Sequence, residues 1–218
     1  ATRTLLGAQD ERVLVPLLLA ARNRAPALVA RALAVLGLEQ VAAHPGYRLR
    51  VQTLGAFRVW RGDEEITARE WQRKKARQLL QLFISQRGRM LTREEIFECL
   101  WRDESPDAAA RDFKVALNAL NHALEPGRGA DDAPAFIARA ESAYGWRAGA
   151  DVGLDAEEFA RRIARADAAM GDAALDDYRR ALALYQDDYL SADARYDDWA
   201  LAERERLRAL YLRAADRF

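Results

Sequence analysis

Cysteine is almost absent: Cys99 is the single one in 218 residues. An intrachain disulfide is therefore excluded, and a reducing cytoplasm is the expected compartment. Histidine is scarce too. His44 and His122 stand far apart, with no Cys or carboxylate partner at metal-ligand spacing, so no metal site is expected. A Gly-rich loop ending in Lys-Ser or Lys-Thr is missing, as is a GxGxxG fingerprint, so no nucleotide cofactor is expected. The longest apolar run, Val13 to Ala21, is interrupted by Pro16 and is too short to span a bilayer. No basic segment with a cleavage site precedes it, so it does not read as a signal peptide. Net charge is lacking as well, with 34 basic and 34 acidic side chains.

That neutrality conceals an uneven spread. Residues 1–47 are net +2, residues 48–149 net +3 and residues 150–218 net −5. A mildly basic middle joined to an acidic tail fits a nucleic-acid-binding unit attached to something else. The carboxylate pairs Asp176-Asp177, Asp187-Asp188 and Asp197-Asp198 lie near expected helix ends. They read as caps and solvated charge rather than as an acid/base couple. Cys99 reads as a packed thiol, and the five tryptophans as packing residues at element ends and core stripes. No catalytic constellation emerges, and the chain is not read as an enzyme.

Half of the residues are apolar, enough for a substantial core. The stretch Ser105–Pro126 is the most informative. Ser105 is an N-cap and Pro106 suits the first helical position. Phe113, Leu117, Leu120 and Leu124 recur at spacings of four and three, which predicts one buried stripe. Arg111, Lys114, Asn118 and Asn121 recur on another face, as the side-chain types that reach base edges and phosphates in a major groove. An ordinary amphipathic surface helix has the same periodicity, so the surroundings decide between the two.

Those surroundings read as follows. Residues 1–46 predict a helical segment, with helices over Asp10–Arg22 and from Pro26 to about His44, taken as the end of an upstream helical region. The period then changes, and strands are expected over 48–53 and 56–60, with a third at Glu65–Thr67. Arg69, Arg73, Lys74, Lys75, Arg77, Arg87 and Arg89 face only Glu70 over 21 positions, a density that suggests a phosphate-facing corner. A helix is expected from Trp71 to Gln86 within that run. Thr92 and Glu95 form a capping box for a short helix over 93–101. With the 105–126 helix after it, this is a helix-turn-helix pattern. Phe136–Arg139 and Tyr144–Arg147 predict a hairpin. Helices are expected over Asp155–Met170, Asp172–Tyr185 and Tyr196–Phe218, and Tyr178–Tyr185 resembles the second helix of a TPR unit. The chain starts without Met and both ends fall in helical pattern, which reads as a fragment of a longer protein.

The ordered motifs LRVQTLGAFRVWRGDEEI, WQRKKARQLLQLF, RGRMLTREEIFECLW, ARDFKVALNALNHALEP and FIARAESAYGW resemble the OmpR/PhoB-type winged helix. More closely, they resemble the version in SARP-type activators (Streptomyces antibiotic regulatory proteins), where a bacterial transcriptional activator domain follows. The resemblance covers about 48–218. In one departure, Ser142–Trp146 is a residue longer than the usual wing closure, which leaves the wing register open. The expected fold is mainly α with small antiparallel sheets: a helical segment at 1–46, a winged helix-turn-helix at 47–150 and a TPR-like helical domain at 151–218.

The resemblance implies binding to double-stranded DNA at direct repeats, transcriptional activation and recruitment of RNA polymerase; a homodimer on DNA is left open. It places the 105–126 helix in the major groove. Arg111, Lys114, Asn118 and Asn121 are the candidates for base contacts. Arg73, Lys75, Arg77, Arg89 and Thr92 are those for backbone contacts, and Arg139 is the candidate in the wing. The alternative is a protein-interaction module of a larger signalling regulator, whose helical domains bind partner proteins.

Overall fold

A computed structural model describes residues 8–39, 41, 43–129, 132–195 and 197–218. The elements among them are α1 (Ala8–Ala20), α2 (Pro26–Val35), β1 (Leu49–Gln52), β2 (Arg58–Arg61), β3 (Glu64–Glu65), α3 (Lys74–Ser85), β4 (Leu91–Thr92), α4 (Arg93–Leu100), α5 (Pro106–Leu124), β5 (Ile137–Ala140), β6 (Ala143–Trp146), β7 (Val152–Leu154), α6 (Asp155–Ala168), α7 (Asp172–Leu184) and α8 (Asp198–Arg217). The fold is mainly helical with small sheets: a winged helix-turn-helix and a helical domain. No described helix is long and apolar enough to cross a membrane.

Contacts divide the chain into two units, one of residues 1–49 and 61–151, the other of 50–60 and 152–218. Residues 50–60 group with the helical tail, and their chemistry explains why. Asp155, at the start of α6, accepts hydrogen bonds from the Thr53 amide (2.8 Å), the Thr53 hydroxyl (2.7 Å) and the Leu54 amide (2.9 Å). The Leu190 amide donates to the Thr53 carbonyl at 2.9 Å, and Leu54 bridges to Tyr189. Residues 53 and 54 thus have backbone groups satisfied both by the start of α6 and by the 189–190 segment that follows α7, as buried backbone requires. In the same unit β2, β1 and β7 lie side by side in that order.

The rest of this unit is a helical hairpin, α6–α7, joined to α8 by charge and aromatic contacts. Asp167 accepts from Tyr178 Oη (2.6 Å), Arg213 (3.1 Å) and Arg217 (2.6 Å), so one carboxylate serves all three helices. Tyr185 stacks on Tyr211 with ring centroids 4.4 Å apart. Buried Arg204 spends its guanidinium on the carbonyls of Tyr189, Ala194 and Arg195, at 2.9, 2.7 and 2.9 Å. Helix α8 begins at Asp198; Tyr196, where it was expected to start, lies outside the described residues.

In the first unit, α1 and α2 enclose Val15, Val29, Leu33, Leu36, Leu38 and Val41. Helix α2 is shorter than its Ala/Leu composition suggests. It stops at Val35 because Gly37 adopts φ 70°, and the Leu38 and Gly37 amides fold back onto the carbonyls of Leu33 (2.8 Å) and Ala34 (3.0 Å). That Schellman closure uses glycine's freedom at positive φ. Leu38 and Val41 pack into the same cluster, and Arg22 donates to the Val41 carbonyl at 2.6 Å.

Helix α3 buries Ala76, Leu79, Leu80, Leu82, Phe83 and Ile84. It starts at Lys74 rather than Trp71, since Gln72 takes φ 57°. Ahead of it, Glu70 accepts from the Thr67 amide and hydroxyl, both at 2.8 Å, and pairs with Arg61. The Thr67 amide, its hydroxyl and Arg61 together hold the Glu70 carboxyl down to about 2, against 4.5 for a free glutamate. Because the folded value is depressed, this contribution to stability is complete above the unfolded value and fades as pH falls towards 2. The urea midpoint of the Glu70→Gln variant should therefore lie below that of the parent near pH 6, and the two should converge on acidification. A gap that stays constant down to pH 2.5 would contradict the assignment.

The second sheet has the order β4-β6-β5, with Leu91 opposite Tyr144 and Ile137 opposite Trp146. The wing register left open by the sequence closes at Ala140 opposite Ala143. Glu141 and Ser142 form the two-residue turn, Glu141 at φ 52°. Strand β4 is the piece that periodicity overlooks: two residues carry no pattern of their own. It can lie against β6 because position 145 is glycine. A Cβ there would sit 2.8 Å from the Arg89 carbonyl and 3.1 Å from Met90 Sδ.

Candidate nucleic-acid interface

Helix α5 is started by Ser105, whose side chain accepts from the Ala108 amide at 3.4 Å, with Pro106 behind it. Its inner side buries Ala109, Phe113, Ala116, Ala119, Leu120, Ala123 and Leu124. Four of these seven are alanines, which lets the helix approach its neighbours closely. Phe113 anchors it, with ring centroids 5.7 Å from Phe97, 6.0 Å from Trp101 and 5.0 Å from Tyr144. Trp101 donates its Nε1–H to Asp112 at 2.7 Å. One aromatic cluster thus joins α4, the turn, α5 and the hairpin.

This packing leaves Arg111, Lys114 and Asn118 exposed on the opposite side. Asn121 differs from them. It is half-buried, and its Oδ1 is enclosed without a hydrogen-bond partner. Between α5 and the β5–β6 hairpin runs an open groove of about 660 Å³. Lys114, Asn118 and Asn121 line one side, and Arg139, Tyr144 and Arg147 the other, with Arg93 at the start of α4. Among the described residues no Asp or Glu lines this groove, although acidic and basic residues are equally numerous in the chain. The Arg93 and Arg139 guanidiniums lie 6.0 and 5.7 Å from the Tyr144 ring, and Arg93 also donates to Tyr144 Oη at 3.3 Å. Arg139 Nε donates to the Glu141 carbonyl at 3.1 Å, which turns it along the hairpin.

Of the residues singled out in the sequence, the groove gathers Lys114, Asn118, Asn121 and Arg139, with Arg111 exposed on the same helix. It does not gather Arg73, Lys75, Arg77, Arg89 or Thr92. Several of those have internal duties. Lys75 Nζ donates to the Leu100 carbonyl at the end of α4 and lies 5.0 Å from the Trp101 ring centre. A lysine there satisfies a helix C-terminus and its dipole. Arg89 pairs with Glu95, Thr92 caps α4 by accepting from the Glu95 amide at 3.3 Å, and Arg77 is half-buried. Arg73 is exposed at the N-cap of α3. The dense positive run is therefore in part a set of helix-end partners.

Arg93 and Arg147 were not singled out by sequence. Arg93 sits in Thr-Arg-Glu-Glu, where two acids mask its charge, and Arg147 ends a strand pattern. Only the fold turns both onto the groove. Cys99 is half-buried, and burial pushes its thiol up, away from reactivity.

The elements and the groove define a winged helix-turn-helix with an appended helical domain. Among solved structures, the chain is similar to Mycobacterium tuberculosis EmbR in complex with a low-affinity phosphopeptide. The identity is 18%, the TM-score 0.62, and the match covers 78% of this chain and 44% of that one. This chain thus spans less than half of that protein's length. At such identity the likeness speaks for the fold alone. No family model and no curated protein matches.

Proposed function

We propose that this chain is the DNA-binding and activator part of a SARP-type transcriptional regulator, not an enzyme. The observation that carries the reading is the groove that gathers Arg93, Lys114, Arg139 and Arg147 beside exposed Arg111 and Asn118. In this reading α5 enters the major groove, Arg111, Lys114 and Asn118 face base edges, and Arg93 and Arg139 meet the flanking phosphates. Asn121 takes a supporting place, because its oxygen is turned into the protein. Arg73 and Arg77 stay candidates for backbone contact, whereas Lys75, Arg89 and Thr92 act first on the protein itself. The SARP resemblance and the fold shared with EmbR support this reading. Binding at direct repeats, as one or two copies, and contact with RNA polymerase through the acidic helical unit belong to it as well.

Duplex binding is expected to weaken steeply with salt. Arg93→Ala and Arg139→Ala should each lower the slope of log K against log salt by about 1, on specific and scrambled duplex alike. A salt-independent interaction, or no interaction at 50 mM salt, would overturn the reading. A second reading gains support from the exposed Leu201, Leu212 and Phe218 of the acidic unit. There the helical part binds a partner protein and the winged helix serves as a scaffold, and the same salt titration would then detect no duplex binding.

A further inference from the structure

The end of α5 is tied down more heavily than a helix terminus needs. Its last carbonyls already have partners: Arg61 Nη1 donates to Ala123 at 3.2 Å, and Tyr47 Oη to Leu124 at 2.7 Å. The next residue is Glu125, only 5% exposed. Its two oxygens accept the Ala135 amide at 2.9 and 3.0 Å. Ala135 lies two residues before β5. Around it, Arg147 Nε donates to the Pro134 carbonyl and the Arg147 amide to Phe136, each at 2.8 Å. Phe136 stacks between Tyr47 and Trp146, each ring centroid 6.4 Å away.

A buried carboxylate is a costly way to end a helix, where glycine or asparagine suffices. Burial works against its ionised form, and the amides and the Arg128 and Arg147 guanidiniums only partly offset this. What this residue type adds is reach. It bonds directly to the start of the wing, at a residue ten positions further along the chain. We propose that Glu125 is a positioning residue that sets the spacing between helix α5 and the β5–β6 hairpin, so that the two engage one DNA site together. The inference rests on the DNA-binding reading; the pin itself does not.

The experiment has two arms. Without DNA, amide exchange is followed by NMR at Ala135 and, as a control for folding, at Leu120 in α5. Glu125→Ala should expose the Ala135 amide at least about tenfold while Leu120 stays protected, and Glu125→Gln, which keeps one acceptor, should restore part of that protection. With DNA, affinities for a duplex selected from random sequence are compared in a double-mutant cycle with Arg139→Ala. Glu125→Ala alone should weaken binding about tenfold, within the coupling range of neighbouring sites. In the Arg139→Ala background it should cost less than about twofold, because a wing without its own contact gains nothing from being placed. Unchanged Ala135 protection in both Glu125 variants would overturn the pin. Fully multiplicative losses would overturn its positioning role. Exposed Ala135 in a protein whose parent binds no duplex would keep the pin and sink the DNA reading instead.

Discussion

Asn118→Ala should lower affinity for the selected duplex by roughly five- to 150-fold and leave affinity for scrambled duplex nearly unchanged. Asn118 is exposed at the centre of the outward face of α5, one turn from Lys114 and two from Arg111. Its amide offers a donor and an acceptor side by side, the pair that matches an adenine edge. A good bidentate contact of that kind discriminates by about 1–3 kcal/mol. Asn121→Ala provides the contrast. With Oδ1 enclosed, Asn121 cannot present both groups to a base without turning over, so its loss should be smaller and should fall on stability as well. The measurement is a titration of each variant on both duplexes at fixed salt. Equal losses on both would show that Asn118 reads charge or shape rather than a base. No loss on either would mean that this face of α5 does not meet DNA.

Phe113→Ala should destabilise the first unit by about 4 kcal/mol, the usual cost of removing a buried aromatic from a core. Phe113 is 3% exposed and is the ring at which α4, the turn, α5 and β6 converge. Tertiary shape sets the cost here. Three aromatic rings and the inner side of α5 would face one void, and the alanines at 109, 116 and 119 are too short to fill it. Phe113→Leu keeps most of the volume and should cost less than about 1.5 kcal/mol. Urea unfolding followed by tryptophan emission measures both, since Trp101 lies against the ring. A loss below 1 kcal/mol for Phe113→Ala would show that the cluster collapses around the gap and does not hold the helices in place. At comparable loss of fold, duplex binding by Phe113→Ala should fall on cognate and scrambled sequences together, which separates it from Asn118→Ala.

The basic run from Arg69 to Arg89 shows what charge density leaves undecided. Seven cations against one acid read as a phosphate-facing corner, but Lys75 closes α4, and Arg89 reaches across six residues to Glu95. A helix C-terminus and a capping box each call for a charged partner, and a sequence does not say which of several lysines and arginines is taken. The reverse happened at Arg93 and Arg147. Their immediate neighbours conceal them, and only the fold brings them to the groove.

What the sequence determined by itself is what depends on neighbours three or four residues away. The cap at Ser105 with Pro106, the Thr92–Glu95 capping box and the 3–4 spacing of apolar residues along α5 placed the helix-turn-helix within two residues. Each is a local bond or a helical period, and needs no knowledge of the rest of the chain. Partners far apart in sequence were left to the tertiary structure. It paired two-residue β4 with β6 and fastened residues 53 and 54 to Asp155. These outcomes rest on a few contacts between residues distant in sequence, and such contacts leave no periodicity for a sequence to reveal.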